Sequence, residues 1–230
     1  MPSQKLSIYT INPIDESTNE WNKIVNNLIS NNSPYQQCMI NEQTSAYVNG
    51  YFVYKFYTKQ MIYNIDINRF ETQDILQTNI LKFDLYIDKC LAFLWGSSRA
   101  SVVFQTILDT ASDHQLIITY KKTDFSALLR HLLNYKNISF THMRIKDVII
   151  EKGILAICSV PLKGFDNSHD LVKKYIDNIT HLSILLNMYN QRTALTLYST
   201  GAITIYKNRE DLTDDIIDML ISILGGTNNG

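Results

Sequence analysis

In this chain of 230 amino acids the residues best suited to chemistry lie near the C-terminal end. Tyr189, Tyr198 and Tyr206 recur there, with Arg192, Lys207 and Arg209 between and after them. Aromatic rings interleaved with cations suit single-stranded nucleic acid, because rings stack on bases while cations meet phosphates. The same mixture suits a protein interface. It is also what an ordinary solvated strand face carries, or one covered by other parts of the chain.

A second candidate is the run Gly96, Ser97, Ser98, Arg99, which follows an apolar strand pattern and opens a helical one. Such a turn aims free backbone N–H groups at an anion, and Arg99 is placed to clamp it. The run lacks the full phosphate-loop and dinucleotide-binding patterns, so a serine-capped helix is its simpler reading. Lys121, Lys122, Arg130, Lys136, Arg144 and Lys146 form a further basic group, spread over a helix and two strands. They read as a stripe or as scattered solubility charge.

The five histidines, His114, His131, His142, His169 and His181, have no metal-ligand spacing with each other or with cysteine. No metal, no cofactor and no catalytic residue is therefore expected. Cys38, Cys90 and Cys158 are far apart, and the last two lie in apolar runs. That suits buried free thiols in a reducing compartment inside the cell.

The elements that position the C-terminal residues are the clearest in the sequence. Leu182, Ile184, Leu186 and Met188 alternate with Ser183, Asn187 and Tyr189, with Leu185 also on the second face. Leu195 and Leu197 alternate with Thr196 and Tyr198, and Ile203 and Ile205 with Thr204 and Tyr206. Period-two alternation on three successive segments predicts three antiparallel strands. Thr200-Gly201 supplies the tight turn between the last two. A helix follows, capped at Asn208, with Leu212, Ile216, Met219, Leu220, Ile223 and Leu224 on one side and Asp214, Asp215 and Asp218 on the other. That helix must cover the apolar face of the strands, which leaves a face of Tyr, Thr, Ser and Asn.

Upstream, a strand is expected over residues 5–11. A helix capped by Asp15 or Ser17 carries Trp21, Ile24, Val25, Leu28 and Ile29 on one face. Residues 47–57 and 61–67 suggest a hairpin with its loop at 58–60, and 70–78 is ambiguous, with a short helix in reach. Strands are expected at 80–87, 90–95, 115–120, 138–150 and 154–160. Helices are expected over 99–110, from Thr123 or Asp124 to Leu133, and from Asn167 or Ser168 to about residue 179. Residues 83–95 resemble 147–159: each has an apolar strand, an acidic-Lys turn, a returning strand with Leu-Ala, and a helix. This fits a duplicated unit or recurrence of a common hairpin–helix motif. The weakest point is near residues 110–114, so the chain divides into 1–110 and 111–230, or forms one continuous domain.

Residues 181–224 also carry a resemblance. An aliphatic strand at 183–188, Arg192, a strand at 194–198, Ser199, Gly201 with the strand to Tyr206, and the helix from Glu210 to Leu224 resemble one half of a TATA-binding-protein-like fold. The resemblance implies a curved antiparallel sheet with helices on its convex side and nucleic acid or protein on the other. The family's DNA-binding face is apolar and carries paired phenylalanine wedges. Here the corresponding strands carry tyrosines and threonines, which points away from minor-groove bending.

Composition sets the outer bounds. The chain is 45% hydrophobic and 19% charged, with a formal net charge of -1, so no global field draws it to nucleic acid or acidic lipid. No apolar run is long enough for a membrane span. Abundant Ile, Asn, Tyr and Lys suggest an AT-rich coding source, such as a virus, phage or mobile element. The reading is an α+β fold, mostly antiparallel curved sheet with helices packed on one side. The function expected is non-enzymatic binding of nucleic acid inside the cell through the Tyr/Arg/Lys face. The alternative is a protein–protein interaction subunit using that face, or the acidic face of the last helix.

Overall fold

The computed structural model describes residues 3–14, 21–121, 124–188 and 191–225. The fold is α+β, an antiparallel sheet carrying its helices on one side. The chain divides into two compact units, Ile8–Thr119 and Met1–Ser7 with Tyr120–Gly230. Strand β1, Gln4–Pro13, contributes residues to both.

In the first unit the strands are β2 (Gln36–Gln43), β3 (Tyr47–Asn64), β4 (Arg69–Tyr86), β5 (Leu91–Trp95) and β6 (Leu116–Tyr120, whose last residue belongs to the second unit). Their order is β2-β3-β4-β5-β1, and β6 also pairs with β1. Helix α1 (Trp21–Ser30) buries Trp21, Ile24, Val25 and Leu28, the face expected, but leaves Ile29 exposed. The expected cap at Asp15 or Ser17 lies outside the described residues. Helix α2 (Ser98–Ala111) drops Phe104 between Phe83 and Phe52, with ring centroids 4.6 and 5.5 Å away. Aromatic contacts of this kind add to plain area burial.

Two expectations for this unit are corrected. The loop placed at 58–60 is strand: β3 runs unbroken for 18 residues, and the turn lies at 65–68. Thr58, Lys59 and Gln60 are polar but keep the period-two pattern, which is all an exposed ribbon requires. The turn instead uses Asn68 at φ 51°, a left-handed conformation that asparagine tolerates. Residues 70–78 are accordingly part of β4 and not a helix. The second correction is β2, a polar edge strand unrecognised in the sequence because only Cys38 of its eight residues is buried. Burial pushes the Cys38 thiol up to about 12.

In the second unit the strands are β7 (Ile138–Glu151), β8 (Ile154–Pro161), β9 (Ile179–Met188), β10 (Gln191–Tyr198) and β11 (Ile203–Ile205). Their order is β11-β10-β9-β7-β8, with residues 4–6 of β1 beside β11. Helix α3 (Phe125–Leu132) is capped by Asp124, whose carboxylate accepts from the Ala127 N–H, and it packs against α5 (Asp214–Gly225). Helix α4 (Ser168–Lys174) packs on β7. The core beneath them holds Leu182, Ile184, Leu186, Leu195, Leu197, Ile203 and Ile205, all under 4% exposed. Gly201, at φ 83°, makes the β10–β11 turn.

Here too the ends of elements move. α4 stops at Lys174, and Ile179 already belongs to β9. Asn208 precedes a separate 3-10 turn, Arg209–Asp211. Leu212 is extended and breaks the run, so α5 starts only at Asp214. Cys90 and Cys158, expected in the core, are half-buried.

Candidate functional site

The apolar residues of β9, β10 and β11 go to the helix side, so the alternate residues form the opposite face. Cross-strand register fixes which ones meet. On β10 they are Arg192, Ala194, Thr196 and Tyr198, opposite Asn187, Leu185, Ser183 and His181 of β9. Thr196 also faces Thr204 of β11. Tyr206 follows, its N–H donating to the Ala194 carbonyl.

Strand β7 joins this face through an irregularity. Phe140 is opposite Ile184, yet His142 is opposite Ser183, so Thr141 is one extra residue on β7. Such a bulge moves every following side chain to the other face. Burial changes phase accordingly, from Ile138 and Phe140 to Met143 and Ile145. His142 and Arg144 are thereby carried to the face of Tyr198 and Tyr206. A second bulge on β9 places Thr180 between Ile179 and His181, and leaves His181 opposite Arg144. Both inserted threonines tie back to the neighbouring strand. Thr141 Oγ1 donates to the Ser183 carbonyl at 3.1 Å, and Thr180 Oγ1 to the Arg144 carbonyl at 3.2 Å.

The result is a groove of about 430 Å³ lined by His142, Arg144, Ile157, Ser159, His181, Ser183, Thr196 and Tyr206. His142 Nε2 lies 2.8 Å from Ser159 Oγ, and His181 Nδ1 2.9 Å from Thr180 Oγ1. Ser183, Thr196 and Tyr206 form a line of hydroxyls, 2.9 and 3.4 Å apart. The lining holds one guanidinium and two imidazoles and no carboxylate. Arg144 makes no ion pair among the described residues and is exposed. Burial, then Arg144, then His142 lower the pKa of His181 below its ordinary 6.5. Loss of water contributes most to that shift, and the neighbouring Arg144 guanidinium adds to it.

A second groove, about 460 Å³, is lined by Arg192, Asn187, Leu185, Ser139 and the segment 162–169, with Lys163 and Asp166 on its wall. Arg192 and Arg144 lie on one face. Their partners on β9, His181 and Asn187, are six residue steps apart, so they stand about 20 Å apart along the strand direction.

The remaining expected residues are placed as follows. Tyr198 is half-buried, and Tyr206 is 37% exposed. Lys207 reaches Gln191 Oε1 at 3.5 Å, while the Arg209 N–H donates to Gln4 Oε1 at 3.1 Å. Tyr189 lies outside the described residues. In the first unit, Ser97 caps α2 by accepting from the Ala100 N–H, Ser98 begins the helix, and the Arg99 guanidinium lies 4.3 Å from the Phe56 ring centroid. Of the wider basic group, Arg144 is the member that lines either of these two grooves among the described residues. Arg130 pairs with Asp177, Lys146 with Asp147, and Lys122 lies outside the described residues.

A hydroxyl held by an imidazole is the first half of a nucleophile–base arrangement, whose base is oriented by a third group, often a carboxylate. No acidic residue occurs in β8, β9, β10 or β11. What the face offers is donors and cations for an anion. No group of three His, Cys, Asp or Glu side chains is gathered for a metal among the described residues. No described helix is long and apolar enough to cross a membrane. Set against known protein families and curated proteins, the chain matches none.

Proposed function

We propose that this chain is an intracellular, non-enzymatic binding protein that holds a single strand of nucleic acid across the β7–β11 face of its second unit. One observation carries the reading. Arg144 and Arg192 project from one face, neither has an ion pair among the described residues, and four of the five strands contain no acid. Tyr206 lies between their levels and Tyr198 at the level of Arg144, as rings for bases to stack on. The resemblance to a TATA-binding-protein-like half belongs to this reading. It is supported by helices confined to one side of an antiparallel sheet and by the Gly201 hairpin. A viral or mobile-element source rests on composition alone. Three cysteines without disulfides agree with a reducing compartment.

The test is a shift assay at low salt with single- and double-stranded DNA and RNA. Binding is expected to favour single strands, to fall steeply with salt, and to weaken in Arg192→Ala and Tyr198→Ala. Absence of binding to all four would overturn the reading. A second reading, a protein partner on the same face, is favoured by Ile157, 62% exposed in the groove of Arg144, and by Ile149 and Leu155, 73 and 62% exposed as a cross-strand pair further along β7 and β8. It predicts a co-purifying partner lost on Ile157→Lys.

A further inference from the structure

The groove around Arg144 is more specialised than a basic patch. Three features converge. Its charged and imidazole groups come from two strands, and those of β7, His142 and Arg144, reach the face of His181 only because Thr141 is inserted, while the Thr180 insertion on β9 turns Ile179 into the core. Each insertion is held by a threonine hydroxyl on a neighbouring backbone carbonyl, so the displaced phase is locked. Hydroxyls then surround the cations, with Ser159 and Ser183 on either side and Thr196 and Tyr206 behind.

We propose that this groove is a phosphoryl-binding subsite in which Arg144 supplies the charge, His142 and His181 supply ring N–H donors, and the hydroxyls complete the oxygen shell. A phosphoryl group presents several acceptor oxygens and needs donors from several directions. Arg144, two imidazoles and the Ser159, Ser183 and Tyr206 hydroxyls answer that need. A carboxylate ligand has two oxygens and would leave donors unused. Ile157, 62% exposed, gives the groove an apolar wall against which a base or sugar can lie. The groups facing His181 are Arg144 and His142 on β7 and Tyr198 on β10, none of them anionic. An arriving phosphoryl group therefore meets no fixed negative charge on these strands. The inference deepens the nucleic-acid reading by assigning one phosphate contact on that face. The same chemistry comes from an internal phosphodiester, a terminal phosphate or a free mononucleotide.

The experiment follows the imidazole resonances of His142 and His181 by NMR while inorganic phosphate, adenosine monophosphate and a single-stranded 12-mer with and without a 5′-phosphate are added to the full chain. Oligonucleotide affinity is measured in parallel against salt. Bound phosphoryl is expected to raise the titration midpoint of His181 by about 1 or more. Arg144→Gln is expected to weaken the occupying ligand about tenfold and, for the 12-mer, to lower the salt slope by about one, with partial rescue by Arg144→Lys. A gain from the 5′-phosphate identifies a terminal group, equal binding of both 12-mers an internal one, and saturation by the monophosphate alone a nucleotide. Each of these supports the subsite when Arg144→Gln weakens that ligand and removes its effect on the histidines. If Arg144→Gln leaves 12-mer affinity and salt slope unchanged while Arg192→Ala reduces them, the subsite is overturned and the face reading stands. If no 12-mer binds but phosphate moves the histidines and Arg144→Gln abolishes this, the face reading falls and the subsite stands. If neither the 12-mers nor the small phosphates move the histidines, the subsite is overturned.

Discussion

The rings of Tyr198 and His181 meet edge to face, with centroids 4.7 Å apart and planes at 74°. Tyr198 thereby closes one side of His181 while Arg144 stands opposite on the other strand. This explains the direction of the pKa. The ring loses water to its neighbours and gains the Arg144 guanidinium and the His142 imidazole beside it and no anion, so protonation in the folded chain is disfavoured.

A pH dependence follows. His181 binds its proton more weakly folded than unfolded, so the unfolded chain takes up more protons as pH falls below about 6.5. The contribution of His181 to stability is therefore full above that pH. It declines as pH drops toward the lowered folded value and is constant below it. Denaturant midpoints measured from pH 7.5 to 5 should fall, and the fall should be shallower in His181→Gln. An identical slope in the variant would show that other groups set the dependence.

The inserted threonines can be tested separately from any ligand. Thr141→Val and Thr180→Val keep the shape and remove the hydroxyl that ties each bulge to the next strand. Each should cost about 0.5–1.5 kcal/mol in urea unfolding. Thr141→Val should also broaden or move the His142 resonance, because that bulge holds the ring on its face, and Thr180→Val the His181 resonance, because the Thr180 hydroxyl lies against His181 Nδ1. A stability loss with unmoved imidazole signals would mean that the bulges stand without their threonines.

Much of this arrangement was readable where alternation is regular. Leu195, Leu197, Ile203 and Ile205 alternate without interruption, and Gly201 marks the turn, so Arg192, Thr196, Tyr198 and Tyr206 were assignable to one face. Arg144 and His142 were not, since a single period drawn through β7 puts Ser139 and Arg144 on opposite faces. A mark of the bulge does exist in the sequence. The apolar positions Ile138 and Phe140 are followed by Met143 and Ile145, a change of phase that only an extra residue allows. The ribbon of β3 and β4 was misdivided for a different reason. Its polar centre looks like a loop when burial is assumed, and the true turn has two isoleucines, Ile65 and Ile67, both exposed.

Core packing in the first unit rests on Phe104, which is fully buried between Phe83 and Phe52. Phe104→Ala leaves a hole lined by those two rings and should cost about 3–5 kcal/mol, while Phe104→Leu should cost less. Equilibrium unfolding checks both. A loss under about 1 kcal/mol for the alanine variant would mean that α2 can collapse onto the sheet.

The same unit holds its least protected segment. Residues 55–64 pair with 69–78 and, among the described residues, with no other strand, because β2 stops opposite Tyr54 and β5 opposite Lys82. Ten residues of such a ribbon extend about 34 Å. A two-stranded hairpin is marginal in water without a third strand or a helix against it. Here Tyr57, Met61, Phe70 and Leu76 are 59, 72, 65 and 45% exposed, so one face gains little from burial. Its amides should therefore open locally, well below the global unfolding free energy, whereas those of Phe52 and Phe83 should exchange only with the core. Hydrogen exchange read residue by residue should show protection dropping sharply past Tyr54 and Asn79. A protease admitted at residues 65–68 should nick the ribbon and leave the unfolding midpoint of the rest nearly unchanged. Ribbon amides as slow as those of Phe52 would require a stabilising contact beyond the pairing of these two strands.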